Sequence, residues 1–473
     1  MRSEAKRLLA CFPDVHPDQR LAAENLIHYL VLRNEDIRSL QEQLHLLGLS
    51  SLSSAESHVL SQVQAVLARL GQVTPEKHKA KSSFQTGKTR IQQTGLRLFG
   101  LKTEPDIPHI MVTLDASFAD NYLLIKDLLN AGMNVARINC AHDDETVWHK
   151  LILNLKKACR NTGKRCKVYM DLAGPKIRTK LLAKGSEAGK VKVQEGDIIW
   201  LADTDEGCSL KDVVISPNEP GIIEALKKGE RVLIDDGVIE AVVEKVKKNK
   251  TGIRIVRISS PKKRIKNEKG INFPDSDLQI PSLTAFDRQC LSFVAQNADL
   301  AGYSFVRTGT DVAALQDRLN ELSTRPPGII LKIETPEAVI NLPGLLLQGM
   351  TESVFGVMIA RGDLAVEIGF ERMGEIQDEI LWICEAAHVP VVWATQVLDT
   401  LNKTGIATRS EITDAGHAAL AECVMVNKGE HTLKVLETLR DILRRSAEHR
   451  VKKRYTLRPL GIAGAFINAA DFS

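Results

Sequence analysis

Two stretches place a cation and a carboxylate two residues apart at the end of a short apolar run: LKIE (331–334), with Lys332 and Glu334, and ARGD (360–363), with Arg361 and Asp363. The runs before them, Gly328–Lys332 and Val354–Ala360, are rich in Ile and Val and too short for an ordinary helix, so each reads as a buried strand. Residues two apart on a strand point to the same side. Lys332 therefore shares a side with Glu334, and Arg361 with Asp363 if the strand persists that far. Structural salt bridges would explain one such pair. Two pairs at the carboxyl ends of neighbouring buried strands are better explained by a site. Glu334 and Asp363 offer the oxygen ligands that Mg²⁺ or Mn²⁺ takes, with waters and substrate oxygens completing the shell. Arg137, Lys332 and Arg361 would hold a phosphoryl group and offset the charge of its transfer.

The elements that must position these residues follow a repeat. From His109 the pattern is strand, helix, strand, helix, with candidate strands at 109–114, 134–139, 167–172, 299–305, 328–333, 354–360, 389–395 and 423–428. Helical stretches such as Asn121–Asn130 and Glu375–Ala387 lie between them. This alternation predicts an α/β fold with a parallel sheet covered by helices, and eight units of this length fit a (β/α)8 TIM barrel. An open doubly wound sheet would want a glycine-rich first turn, which Leu114-Asp115-Ala116-Ser117 does not offer. The strand ends collect polar residues: Arg137, Asn139 and His142 after the second; Asp171, Lys176 and Arg178 after the third; Ser304 and Arg307 after the fourth; Thr395 and Gln396 after the seventh; Lys428 and Glu430 after the eighth. Many cations and few acids in one ring suit a multiply charged anion bound with a divalent metal.

One gap breaks the repeat. Residues 180–281 hold short alternating runs and turn signals at Asp235-Asp236-Gly237 and Lys248-Asn249-Lys250. They predict a small inserted β-barrel domain after strand three, on the loop side that surrounds the active face, where it would act as a lid. The predicted organisation is an N-terminal all-helical domain (1–72), a basic solvated linker (73–106), the barrel (107–179 and 282–455), the inserted β lid (180–281) and a C-terminal tail (456–473). Within the helical domain, Ser53-Ser54-Ala55-Glu56 reads as a capping box and Gly71 as a helix stop.

Composition narrows the classes. A net charge of +4 over 473 residues gives no general nucleic-acid or membrane field. No apolar run reaches spanning length. The eight cysteines form no CxxC pair, which predicts a reducing, cytoplasmic setting and no zinc or disulfide framework.

The motifs GMNVARIN (132–139), DLAGPKIRT (171–179), LIDDGVI (233–239), KGINFP (269–274), SFVR (304–307), LKIE (331–334), VMIARGDLAVEI (357–368), VVWATQVLDT (391–400) and TRSE (408–411) together resemble the pyruvate kinase family over about 107–450. The resemblance implies Mg-dependent transfer of the phosphoryl group of phosphoenolpyruvate to ADP, followed by protonation of enolpyruvate. It assigns Glu334 and Asp363 as metal ligands, and Lys332 to the transferring phosphoryl and the enolate. Thr395 falls at the protonated face, acting through water, and Arg137 at the phosphoryl contact. The amides of Gly362 and Asp363 would open a helix that receives the substrate carboxylate, with Ser304 among the substrate contacts. Thr113, His142, Arg178 and Lys269 fall on the nucleotide side.

Departures from the family pattern matter as well. In the monovalent-cation region Asn139 and Asp171 remain, but Ala141 and Leu172 stand at the Ser and Thr positions. Lys176 stands where potassium-dependent members have a glutamate. An ammonium there is a fixed charge in place of K⁺, so activity without potassium is expected. The turn after strand one lacks the family's Gly-Pro pair, and Lys428-Gly429-Glu430-His431 replaces a Ser-Gly-Glu-Thr pattern. The family's C-terminal regulatory domain is not expected, which argues against its usual tetramer and leaves a homodimer through barrel helices. The partner of the N-terminal domain is unspecified. Two other readings compete. A non-catalytic phosphoenolpyruvate sensor need not keep Lys332, Glu334, Asp363 and Thr395 together. A Mg-dependent carbon–carbon lyase acting on pyruvate would share the acidic pair but need neither the lid nor Lys332.

Overall fold

The computed structural model describes residues 2–455 except 76–78, 103, 210, 261–262, 279, 448–449 and 452–453, so the predicted tail 456–473 lies outside the described residues. Eight parallel strands close into a barrel: β1 His109–Leu114, β2 Val135–Asn139, β3 Lys167–Asp171, β4 Leu300–Tyr303, β5 Gly328–Ile333, β6 Phe355–Ala360, β7 Val391–Ala394 and β8 Cys423–Val426. They neighbour one another in chain order, and β8 pairs with β1 through His109–Cys423 and Met111–Met425. The expected (β/α)8 barrel is the observed fold.

Strand periodicity sorts the core into two sets. Ile110, Val112, Ile329, Leu331, Val357 and Ile359 point outward and pack with the helices. Met111, Val135, Tyr169, Leu300, Ile330, Met358, Val392 and Cys423 point inward and fill the barrel floor. Two residues further along the inward set come Thr113, Arg137, Asp171, Gly302, Lys332, Ala360, Ala394 and Met425. The polar members of this second layer stand directly above an apolar floor.

The predicted linker contains a helix. Helix α2, Phe84–Phe99, is capped by Ser83, whose Oγ accepts from the Thr86 amide at 3.1 Å, and its Leu98 and Phe99 are 1% and 0% exposed. Both pack into the barrel floor, so the solvated-linker reading of 73–106 is corrected. The basic residues Lys88, Arg90 and Arg97 hide an amphipathic helix whose last turn covers the barrel floor.

The N-terminal segment is helical, as expected, but shares the barrel's core. Helix α1, Arg20–Arg33, puts Ala22, Ala23, Leu26 and Ile27 into the same cluster as the outward barrel residues. It packs on helix α4, Met373–Ala386. Asn25 joins three elements: its Nδ2 donates to the carbonyls of Glu56 (2.6 Å) and Ala386 (2.8 Å), and its Oδ1 accepts from the Val59 amide (3.0 Å). The helix Val59–Arg69 thus starts later than the Ser53–Glu56 signal suggested and has no side-chain cap of its own. Asn25 fills that role from another helix. Gly71 (φ 81°) follows the helix end as expected.

The insert forms a seven-stranded sheet around its own core of Ile199, Leu201, Ile215, Ile234, Ile239 and Ile253. Its 231–234 and 239–247 strands are joined by the predicted turn, in which Asp235, Asp236 and Gly237 all have positive φ. Among the described residues no helix is long and apolar enough to cross a membrane.

Candidate active site

At the carboxyl ends of the strands a cavity of about 310 Å³ is lined by Arg137, Asn139, His142, Asp171, Lys176, Arg178, Ser304, Lys332, Glu334, Asp363 and Thr395 from the barrel, and by Asp235, Asp236, Glu268, Lys269 and Gly270 from the insert. The insert therefore forms one wall of the cavity. A slightly larger cavity, about 350 Å³, lies at the opposite end, between α2 and the 309–322 helix. The chemistry belongs to the carboxyl end, where the ionisable groups converge.

Asp171 is the anchor. It is 1% exposed, and its Oδ2 accepts from Arg137 Nε (3.0 Å) and Nη2 (2.5 Å) and from Lys332 Nζ (3.4 Å). Lys332 Nζ also donates to Ser304 Oγ (2.6 Å) and pairs with Glu334 Oε1 (3.0 Å). The Ser304 hydroxyl in turn donates a hydrogen bond to the Leu172 carbonyl (2.6 Å). Burial alone would pull the Lys332 ammonium down, but Asp171 and Glu334 outweigh it and hold the group above its usual value, so it stays charged. Burial likewise opposes ionisation of Asp171, yet Lys332 and Arg137 keep its carboxyl below the usual range.

Glu334 is 2% exposed and accepts from the Phe305 amide at 2.6 Å. Burial pushes its carboxyl up; Lys332 opposes this and Asp363 adds to it. Glu334 and Asp363, two carboxylates facing one cavity, are a donor set whose mutual repulsion a divalent ion would relieve. Among the described residues no three such side chains stand close enough to hold an ion by themselves, so an ion here would complete its shell with water and substrate oxygens.

Asp363 does not share a side with Arg361. The strand ends at Ala360 and helix α3, Arg361–Ile368, begins at once. Two helical residues differ by about 200° around the axis, so Asp363 faces the cavity and Arg361 turns away. Arg361 stacks on Trp393 (4.5 Å), pairs with Asp414, and donates to the carbonyls of Ala394 (3.0 Å) and Thr395 (2.7 Å). Its expected phosphoryl contact is therefore corrected: it braces the loop that carries Thr395. That loop needs bracing, since Thr395, Gln396 and Leu398 all sit at positive φ. Thr395 Oγ1 is buried without a partner on the cavity wall. Gly362 lies against it: a Cβ there would stand 3.5 Å from Thr395 Oγ1.

The remaining predicted residues divide. Lys176 Nζ contacts Asp363 Oδ1 at 2.6 Å. Thr113 stands behind Arg137, accepting from Nη1 at 3.1 Å, and is not on the cavity wall. Asn139 Oδ1 accepts from the Ala141 amide (3.1 Å). Arg178 Nη1 donates to the Glu268 carbonyl (3.1 Å) and Lys269 pairs with Asp235 (2.8 Å), both across the lid wall. His142 is held below its usual pKa by burial and by Lys428 and Arg178. Sequence reasoning missed Asp235, Asp236 and Glu268 as cavity residues. The DDG turn was visible, but nothing local says which way a lid turn faces.

A model of the pyruvate kinase barrel domain matches residues 108–432. The chain is 31% identical over 338 residues to a pyruvate kinase of Geobacillus stearothermophilus (68% of this chain, 54% of that protein). It is 30% identical over 328 residues to that of Thermotoga maritima (68% and 67%) and 32% identical over 342 residues to that of Dictyostelium discoideum (71% and 65%). The chain spans about half the length of relatives such as the Geobacillus enzyme. With the barrel, the inserted sheet and the ring of strand-end groups in place, this match means that the chain belongs to the pyruvate kinase family.

Proposed function

We propose that the chain transfers the phosphoryl group of phosphoenolpyruvate to ADP, giving pyruvate and ATP. The observation that carries this reading is the convergence of Lys332, Glu334, Asp363, Thr395 and Arg137 on one cavity. Arg137 and Lys332, both fixed on Asp171, present two permanent charges to the phosphoryl group. As its bond to the enol oxygen breaks and a bond to the terminal oxygen of ADP forms, Lys332 offsets the charge left on the enolate. A divalent ion held by Glu334 and Asp363 supplies Lewis-acid stabilisation of these oxygens when bound. The amides at the start of α3 receive the substrate carboxylate. Thr395, its hydroxyl unpartnered, orients the water that protonates the methylene carbon of the enolate. Arg178 and Lys269, on the lid side, attract the nucleotide phosphates, and the neutral ring of His142 offers them a hydrogen-bond donor.

The same reading dispenses with potassium. It is supported by the Lys176 ammonium beside Asp363 and by Ala141 and Leu172, which bring no side-chain oxygen to the region. The eight cysteines are free thiols, which supports a reducing, cytoplasmic setting. The test is to incubate the full chain with phosphoenolpyruvate, ADP and Mg²⁺ and follow pyruvate. Steady formation of pyruvate is expected. If none forms with or without K⁺, the transferase reading falls, and a sensor that binds phosphoenolpyruvate without turnover replaces it.

A further inference from the structure

Tyr169 sits on the inward face of β3, two residues before Asp171, 0% exposed. A buried aromatic on a barrel strand is ordinarily floor packing, and its ring does pack there with Leu300 and Ile330. Its hydroxyl does more: it donates to Asp171 Oδ1 at 3.0 Å. Burial and the neighbouring Asp171 raise the phenol's pKa well above its usual value, so it stays a neutral donor.

The neighbouring strand is cut away to admit that hydroxyl. Gly302 lies opposite Asp171 in the β3–β4 register. A Cβ at 302 would stand 2.0 Å from the Tyr169 hydroxyl oxygen and 2.3 Å from Asp171 Oδ1. No real Cβ survives at such distances. The space for a side chain on β4 is thus occupied by the tyrosine–aspartate pair, and glycine is required at 302 for that reason alone.

The carboxylate of Asp171 is consequently divided. Oδ2 carries both cations of the site, Arg137 and Lys332, and Oδ1 is tied to the floor. Without the tie the carboxylate turns about its terminal torsion, which is soft, and both cations lose their common reference point. We infer that Tyr169 is a positioning residue: its hydroxyl fixes the rotation of Asp171 and through it the places of Arg137 and Lys332 toward a bound phosphoryl group. This inference rests on the proposed reaction for its kinetic readout, but not for its binding readout.

Tyr169→Phe removes one oxygen and leaves the ring. A hydrogen bond to a charged group carries enough energy for roughly a tenfold effect. The expected result is a fall of about tenfold in kcat/KM for phosphoenolpyruvate, with KM for ADP unchanged. A purely structural role would lower the melting temperature without this split. Orthophosphate is titrated calorimetrically into both proteins, with expected weakening in Tyr169→Phe. If Tyr169→Phe is poorly folded at the assay temperature, the same titration at a lower temperature, on samples whose circular dichroism matches the wild type, carries the test. Unchanged kcat/KM and unchanged phosphate affinity in a folded Tyr169→Phe protein overturn the inference. A wild-type protein that binds phosphate but makes no pyruvate overturns the transferase reading alone, and the titration then decides the inference. One that neither binds phosphate nor makes pyruvate overturns both.

Discussion

The ammonium of Lys176 lies 2.6 Å from Oδ1 of Asp363, so a lysine delivered by the loop after β3 rests on an acid delivered by the helix after β6. The pair is partly buried, at 28% and 21% side-chain exposure, inside a cavity that already holds Glu334. Replacing Lys176 by glutamate would put a third carboxylate beside these two. Lys176→Glu should lose about 10²-fold in rate in potassium-free buffer, the scale of one preorganised charge in a site of this kind. Added K⁺ should restore part of it, while the wild type should respond little. Initial rates in KCl against tetramethylammonium chloride check both halves.

Lys332 is held charged by Asp171 and Glu334 and by its bond to Ser304. Lys332→Met keeps the length of the chain and removes the charge. Activity should fall about 10²–10³-fold, with KM for ADP little changed. Steady-state kinetics on a variant whose circular dichroism matches the wild type would check it, and an unaltered kcat would remove Lys332 from its role.

Arg361 does not line the cavity yet holds two carbonyls of the loop around Thr395. Arg361→Ala strands Asp414 and releases a loop with three left-handed residues. Breaking a partly buried ion pair of this sort costs about 3 kcal/mol, measurable by urea unfolding. The kcat should drop at least about tenfold, since the Thr395 hydroxyl would no longer be held in place. Arg361→Lys should rescue little, because one ammonium cannot reproduce a planar fork with four acceptors.

Glu367 links α3 to the lid: it accepts from Asn272 Nδ2 at 2.7 Å. Burial, reinforced by Asp363 and Glu337 and opposed by the Asn272 hydrogen bond and Arg231, pushes its carboxyl up to about 7 from an ordinary 4.5. Between those values the folded chain holds more protons than the unfolded one. Stability should therefore fall as pH rises from about 4.5 to about 7 and level off above that. Glu367→Gln abolishes this contribution. The stability difference should shift in favour of the variant across the window, by no more than about 3 kcal/mol. Denaturant titrations at pH 5, 6, 7 and 8 would show it, and parallel wild-type and variant curves would refute it.

Most of the barrel was legible because its strands are buried on both sides and broken by polar helices. The inward places of Lys332 and Glu334 follow from alternation alone. Arg361 was misplaced because alternation ends at Ala360, and a strand turning into a helix within one residue leaves no mark in side-chain type. Helix α2 was missed for a different reason. Its buried apolar residues are sparse, and the surface that Leu98 and Phe99 cover is assembled from strands spread along the rest of the chain, from Met111 to Cys423. Tyr169 was unreadable as anything but packing, since its partner oxygen and the gap at Gly302 belong to the folded barrel.

The seating of α2 bears on how the chain can be divided. A fragment cut where the family match begins, at residue 108, would retain every strand and every ionisable group of the site. It would also lose Leu98 and Phe99, uncovering Met111, Leu300, Ile330 and Met358 at the amino end of the strands. Such a fragment would present a greasy opening to solvent and stick to its own copies. A piece that keeps this floor covered must therefore begin at or before Ser83, in sequence that lies outside the family match.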